Sequence, residues 1–248
     1  MNYTHIFKHY ICSTFLLAVT VLSSFAQAQT TGNVYSSVIT PQEQAFEYRA
    51  AFVPASGTTD SRFGNRLHYQ RAFRDNKRWR AILQGSDTRS GDLQFDFLQT
   101  ELLWQFRHNR SDGWDSALRF DARISDSNLA DHIGLNWSSQ WNFNQRWQAR
   151  FLILTARQLG GNAHSGVSIE IRERISYRLQ NGKNLALEMF NVYGHTTGFG
   201  DFETQHHRLG PNFSGRLSGD WSFSLGVLFG LSDAASDVDV RAALIKSF

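Results

Sequence analysis

The chain has 248 residues, of which 41% are hydrophobic, 14% aromatic and 19% charged, with a formal net charge of +3. No stretch beyond residue 28 approaches the roughly 18 consecutive apolar residues of a spanning helix, which excludes a helical membrane bundle. Seven Trp exclude a disordered, solvating chain, and a single cysteine, Cys12, excludes a disulfide scaffold.

In chain order, residues 1–28 read as a secretory signal peptide. Lys8 sits in a short polar n-region, the stretch from Tyr10 to Phe25 is apolar, and Ala26-Gln27-Ala28 is an A-x-A cleavage site. The apolar run is too short for a spanning anchor. Cleavage removes Lys8 and leaves 24 basic against 22 acidic residues, a nearly neutral chain with no warrant for nucleic-acid binding. A leader followed by a cysteine-free chain points to the envelope of a Gram-negative bacterium. Residues 29–44 are polar, carry Pro41, and read as either a short periplasmic segment or an inward-folded plug.

From residue 45 to 248 the pattern is alternation. In the segment from Trp114 one face reads Trp114, Ser116, Leu118, Phe120, Ala122, Ile124 and the other Asp115, Ala117, Arg119, Asp121, Arg123. The same period of two runs through Ile133–Phe143, Val167–Leu179 and Trp221–Phe229. Sustained over ten or more residues, this is the signature of strands with one apolar and one polar face, of the length a tilted membrane crossing requires. Twelve strands are expected (10 to 14 is the range), near 45–54, 65–73, 79–85, 93–106, 114–124, 132–143, 147–157, 167–180, 185–193, 206–217, 221–230 and 237–248. Short turns alternate with longer loops of roughly 6 to 12 residues, the layout of an up-and-down antiparallel transmembrane β-barrel. Asn181-Gly182 predicts a type I′ hairpin.

Four of the five short turns lead directly into tryptophan: Trp79, Trp114, Trp147 and Trp221. Indole favours the headgroup boundary, so these four predict a periplasmic aromatic girdle. The chain ends on Phe248, with Leu244, Ala242, Val240 and Val238 on the same face. Here the sequence resembles bacterial outer-membrane β-barrel proteins, in size and arginine content the small twelve-stranded porins for acidic sugars. The resemblance implies that Phe248 is part of the signal read by the barrel-assembly machinery, and that outer-membrane lipid surrounds the wall. Lys246 departs from that pattern, standing where the family favours an apolar or aromatic residue.

If the apolar face meets lipid, the other face is the lumen. It carries Arg66, Arg80, Arg119, Arg123, Arg150, Arg172, Arg174, Arg178, Arg208, Arg216 and Arg241, against Glu47, Glu101, Asp115, Asp121, Glu170, Glu188 and Asp239. The arginine excess predicts a small monomeric porin-like channel favouring small anionic solutes. The alternative is a non-conducting structural or interaction barrel braced by Arg–carboxylate pairs. A lipid-modifying enzyme is a third class, with His207 on the lipid face at the membrane edge and Ser214 on the same strand but the opposite face. No G-x-S-x-G, H-E-x-x-H or phosphate loop supports it, so no catalytic residue and no cofactor is expected. Of the seven histidines beyond the leader, His68, His132, His164, His195, His206 and His207 read as lying near the loop ends of strands. His132, His164, His195, His206 and His207 are weak metal candidates only, since their spacings match no ligand motif and no metal is expected.

Overall fold

A computed structural model of the protein describes residues 31–56, 60–87, 92–108, 113–126 and 129–248. The leader assigned to 1–28 lies outside the described residues. The strands are β1 (Gln44–Val53), β2 (Arg62–Arg74), β3 (Lys77–Asp87), β4 (Leu93–His108), β5 (Trp114–Ser125) and β6 (Asp131–Asn142) in the first half. They continue as β7 (Trp147–Leu159), β8 (Val167–Arg178), β9 (Asn184–His195), β10 (His206–Arg216), β11 (Trp221–Gly230) and β12 (Val238–Ser247). Each pairs antiparallel with its sequence neighbours, and β1 pairs with β12 from Ala45 opposite Ser247 to Phe52 opposite Val240. The sheet is a closed twelve-stranded barrel. Closure pairs every strand on both sides, the one way a sheet can sit in hydrocarbon without orphaned backbone groups.

Alternation decides which way each side chain points. Leu83, Leu98, Phe120, Leu135, Leu187 and Leu225 face outward, each 45% to 51% exposed. A continuous apolar band of this kind on a water-soluble protein would be a severe aggregation liability, and in a bilayer it is the lipid contact. Trp137 and Trp114, embedded in it, satisfy their N–H groups locally. Trp137 Nε1 donates to Ser116 Oγ at 2.8 Å and Trp114 Nε1 to Ser139 Oγ at 3.3 Å, both acceptors being outward-facing serines sealed under the rings. Leu135→Arg is expected to cost about 2–4 kcal/mol in lipid, where the guanidinium has neither water nor partner. Urea unfolding from phospholipid vesicles, compared with the native chain, measures it.

Proline placement follows the ladder. Pro41 precedes β1, Pro54 follows it, and only Pro211 lies inside a strand. There the β10–β11 register skips from Leu209 opposite Phe229 to Asn212 opposite Gly226, leaving the Gly210-Pro211 stretch out of the ladder on that side.

The connections depart from the sequence reading in two respects. The expected long loops at 86–92 and 125–131 shrink to 88–92 and 126–130, no longer than the turns at 109–113 and 179–183, because the flanking strands extend past their expected ends. The contrast between short turns and long loops survives at 54–61, 160–166, 196–205 and 231–237. Asn181-Gly182 is also not a type I′ turn: only Gly182 has positive φ, at 76°. Gly182 N donates to Leu179 O at 3.0 Å and Leu179 N to Lys183 O at 2.8 Å, a tight turn closed by a left-handed glycine. The Asn181 side chain accepts from Lys183 N at 3.1 Å, so it supports the turn through its amide oxygen while its backbone stays at negative φ.

Candidate functional site in the barrel lumen

The polar face of every strand lines the lumen, and Arg66, Arg80, Arg119, Arg123, Arg150, Arg172, Arg174, Arg178, Arg208, Arg216 and Arg241 all belong to it. Two further arginines share it. Arg49 has the parity of Glu47, and Arg78, placed in a turn by the sequence reading, has the parity of Arg80; both are buried. Asp96 also turns inward beside Phe97. The register shifts at Gln84/Gly85, so two consecutive residues of β4 face the same side. Asp96 accepts from Gln84 Nε2 at 2.9 Å and from Ser86 Oγ at 2.7 Å.

Most lumen arginines are spoken for. Arg49 meets Glu47 at 2.7 Å, Arg119 meets Asp121 at 2.7 Å and Glu101 at 3.4 Å, and Arg80 meets Glu101 at 3.4 Å. On the opposite wall Arg172 meets Glu170 at 2.6 Å, and Glu188 takes both Arg174 and Arg241 at 2.6 Å. Arg208 pairs with the fully buried Asp239 at 3.2 Å. Arg123 instead lies 3.7 Å above the Phe97 ring and donates to Gln99 at 2.7 Å. Among the described residues Arg150, Arg178 and Arg216 make no ion pair, and Arg150 donates only to neutral oxygens of Gln140, Gln148 and Val34.

Residues 31–43 run inside the barrel and leave at the turn end, where β1 begins. Val34, Tyr35 and Ile39 are buried in one apolar cluster with Ala72, Leu103, Ala117, Leu152, Leu154, Phe190 and Leu228. These wall residues are inward-facing, so they break the polar-inside rule where the segment lies. Ser36 Oγ donates to Gln140 at 2.9 Å, Ile39 N to Gln105 at 3.0 Å and Thr31 Oγ to Gln84 at 2.8 Å. At the base, Glu43 receives Arg78 at 3.1 Å.

Two cavities of the lumen border the segment. One of about 810 Å³ opens among the turns at 142–148 and 178–184, and the other of about 590 Å³ lies toward the loops around 125–132 and 158–164. Asn33 and Arg49 line both. The turn-end cavity carries Arg150, Arg178, Lys183 and Arg216 with only Glu47 and Glu188 as acids; the loop-end cavity sets Asp96, Glu101, Asp121 and Glu170 against six arginines, a smaller excess. The cationic excess is therefore concentrated at the turn end.

At the turn-end rim, Trp79, Trp114, Trp147 and Trp221 all face outward. Trp114 stacks on Trp141 at 6.5 Å, Trp147 meets Tyr177 at 4.9 Å, and Trp79 meets Tyr69 at 5.4 Å. Trp79 stands two residues inside β3, which starts at Lys77. Phe248 closes the same rim, its ring 5.9 Å from Phe46 and its N–H donating to Gln44 O at 2.9 Å. Lys246 reaches Asp220 at 3.3 Å, with its ammonium 5.6 Å from the Trp221 ring and 5.8 Å from Phe248. A cation is thus seated among rim aromatics, and the stem can lie along the wall.

The histidines scatter. His68 is not at a loop end: it sits at the middle of β2, facing the lumen, with Nδ1 3.8 Å from Glu47. His132 and His164 line the loop-end cavity, and His164 stacks against His195 at 5.3 Å. His206 and His207 point to opposite faces, and no group of three or more His, Cys, Asp or Glu suited to a metal occurs among the described residues. His207 faces outward but is covered by the stacked Phe202 ring at 4.5 Å, and its nitrogens meet Asn191 at 2.8 Å and Gln205 at 2.9 Å. Ser214 faces the lumen and accepts from Arg174 at 3.2 Å. The two residues of the hydrolase alternative thus lie on opposite sides of the wall.

No protein-family model and no curated protein matches this sequence. Solved structures do match its fold. The KdgM porin superposes with a TM-score of 0.60 at 10% identity, covering 82% of this chain and 99% of that one. A KdgM porin in complex with disordered oligogalacturonate gives 0.59 at 10% identity, over 82% and 99%. The NanC porin gives 0.57 at 12% identity, over 82% and 98%. The fold of this chain is that of the outer-membrane β-barrel porins.

Proposed function

We propose that the chain is a small outer-membrane channel of the porin type, acting as a monomer and not as an enzyme, and that it favours anionic solutes. One observation carries the preference: Arg150, Arg178 and Arg216 stand in the turn-end cavity without a carboxylate partner among the described residues. Cations fixed in a narrow, low-dielectric passage lower the barrier for anions and raise it for cations. The paired arginines have another part, holding the wall and the inner segment in place. In this reading residues 1–28 are the export signal, Phe248 belongs to the assembly signal, and the tryptophan rim faces the periplasm. The fold shared with KdgM and NanC supports a channel, and the oligogalacturonate held by KdgM supports a polyanion as the first solute to try.

Planar-bilayer recording in a KCl gradient tests this. The native chain is expected to reverse toward the chloride potential. Arg178→Glu with Arg216→Glu is expected to move the reversal potential toward that of potassium, because both side chains are exposed at the mouth and make no ion pair among the described residues. Cation selectivity in the native chain would overturn the proposal.

A further inference from the structure

Four consecutive backbone carbonyls of the inner segment each receive one arginine, and each arginine comes from a different strand. Arg49 of β1 donates to Thr31 O at 3.3 Å, Arg241 of β12 to Gly32 O at 3.0 Å, Arg172 of β8 to Asn33 O at 2.9 Å, and Arg150 of β7 to Val34 O at 3.2 Å. Gly32 fits because it lacks a side chain: a Cβ there would lie 2.8 Å from the Arg172 guanidinium. From Thr31 to Thr40 the segment contains no charged residue. Arg49, Arg172 and Arg241 keep Glu47, Glu170 and Glu188 on their other nitrogens, and the Nη1 groups of all four arginines are turned to neutral carbonyl dipoles, where a carboxylate would bind more strongly. The same stretch lies where the two cavities meet, with Asn33 and Arg49 lining both.

We propose that residues 31–39 are a resident gate: they constrict the lumen at rest to a narrow residual path, and a solute carrying several carboxylates widens it by taking the arginine edges that now hold the carbonyls of residues 31–34. This rests on the channel reading. It adds that the passage is constricted by the chain itself and that the solute's charge, not its size, releases the constriction. Only as much opening is available as the solute's preference for the freed arginines over the seated segment provides.

The test uses Ser37→Cys in the full chain. Ser37 is 1% exposed in the middle of the segment, the substitution is nearly isosteric, and no other cysteine follows Cys12 of the assigned leader. In vesicles, a neutral maleimide is expected to label the introduced thiol slowly, and oligogalacturonate to raise the rate by an order of magnitude or more, as local release of a buried segment does. A neutral malto-oligosaccharide of the same length is expected to leave the rate unchanged. A rate indifferent to oligogalacturonate, or raised equally by the neutral sugar, overturns the gate. In planar bilayers a variant lacking residues 31–39, shown to be folded by heat-modifiable migration, is expected to conduct several-fold more than the native chain. Equal conductance overturns the gate and leaves the channel standing. Silence from both chains overturns the channel, and the gate with it.

Discussion

Glu188→Gln is expected to lower stability by about 3 kcal/mol, the loss that follows when one partner is removed from a buried ion pair. Glu188 is 2% exposed, and its two oxygens serve two arginines, Oε1 to Arg174 and Oε2 to Arg241, each at 2.6 Å. The amide keeps the volume and one acceptor but offers an NH₂ to a guanidinium, so one contact becomes donor against donor. Neither arginine has another carboxylate at ion-pairing distance among the described residues. Water in the adjacent turn-end cavity softens the loss, which keeps it at the low end of the range for a sealed pair. Arg241 also holds Gly32 O, so the same substitution is expected to loosen the inner segment. Urea midpoints in vesicles for the native chain, Glu188→Gln and Glu188→Asp measure the effect. An unchanged midpoint for the amide would show that the pair contributes nothing net.

The outward face was legible in the sequence because lipid imposes one rule on every strand. Phe120, Leu135 and Leu225 had to be apolar whatever they touched, so period two alone identified them. Tryptophan at the turns was legible for the same reason. The lumen follows no such uniform rule. Arg49 and Arg78 carry a readable signal there, since Glu47 and Arg80 share their parity. Asp96 could not be assigned by parity, since a bulge puts it and Phe97 on one side. Leu103, Leu152, Leu154 and Phe190 are apolar residues facing inward, and their reason lies far away in the chain, in Val34, Tyr35 and Ile39. Residues 31–40 have neither period nor charge, so their sequence left a periplasmic tail and an inward fold equally open. What places them is the set of wall arginines and glutamines waiting at matching heights, a property of the closed barrel that no local window contains.

Gly210→Val is expected to prevent the barrel from closing. A Cβ at Gly210 would overlap Val227 O outright and stand 2.8 Å from Val227 C and 2.9 Å from Leu228 Cα, all backbone of the neighbouring strand β11. No rotamer change relieves an overlap with main chain. β10 and β11 would have to part where the ladder is already interrupted and Pro211 has no N–H to restore it. Overpacking in a core that can shift costs about 1–3 kcal/mol, and this site, fixed by strands on both sides, lies at or beyond the upper end. In a closed sheet the strain cannot be confined to one edge, because moving β11 carries β12 and its seam with β1. Gly161 supplies the control: its φ is not positive and nothing lies within 4 Å of its would-be Cβ, so Gly161→Ala is expected to assemble like the native chain. Heat-modifiable migration in detergent gels reads both. The native chain and Gly161→Ala should each give a shifted, folded band, and Gly210→Val should give only the unfolded one. A folded band for Gly210→Val would mean that β10 and β11 are not in the close contact described, and the Gly-Pro step would need another reason to sit inside a strand.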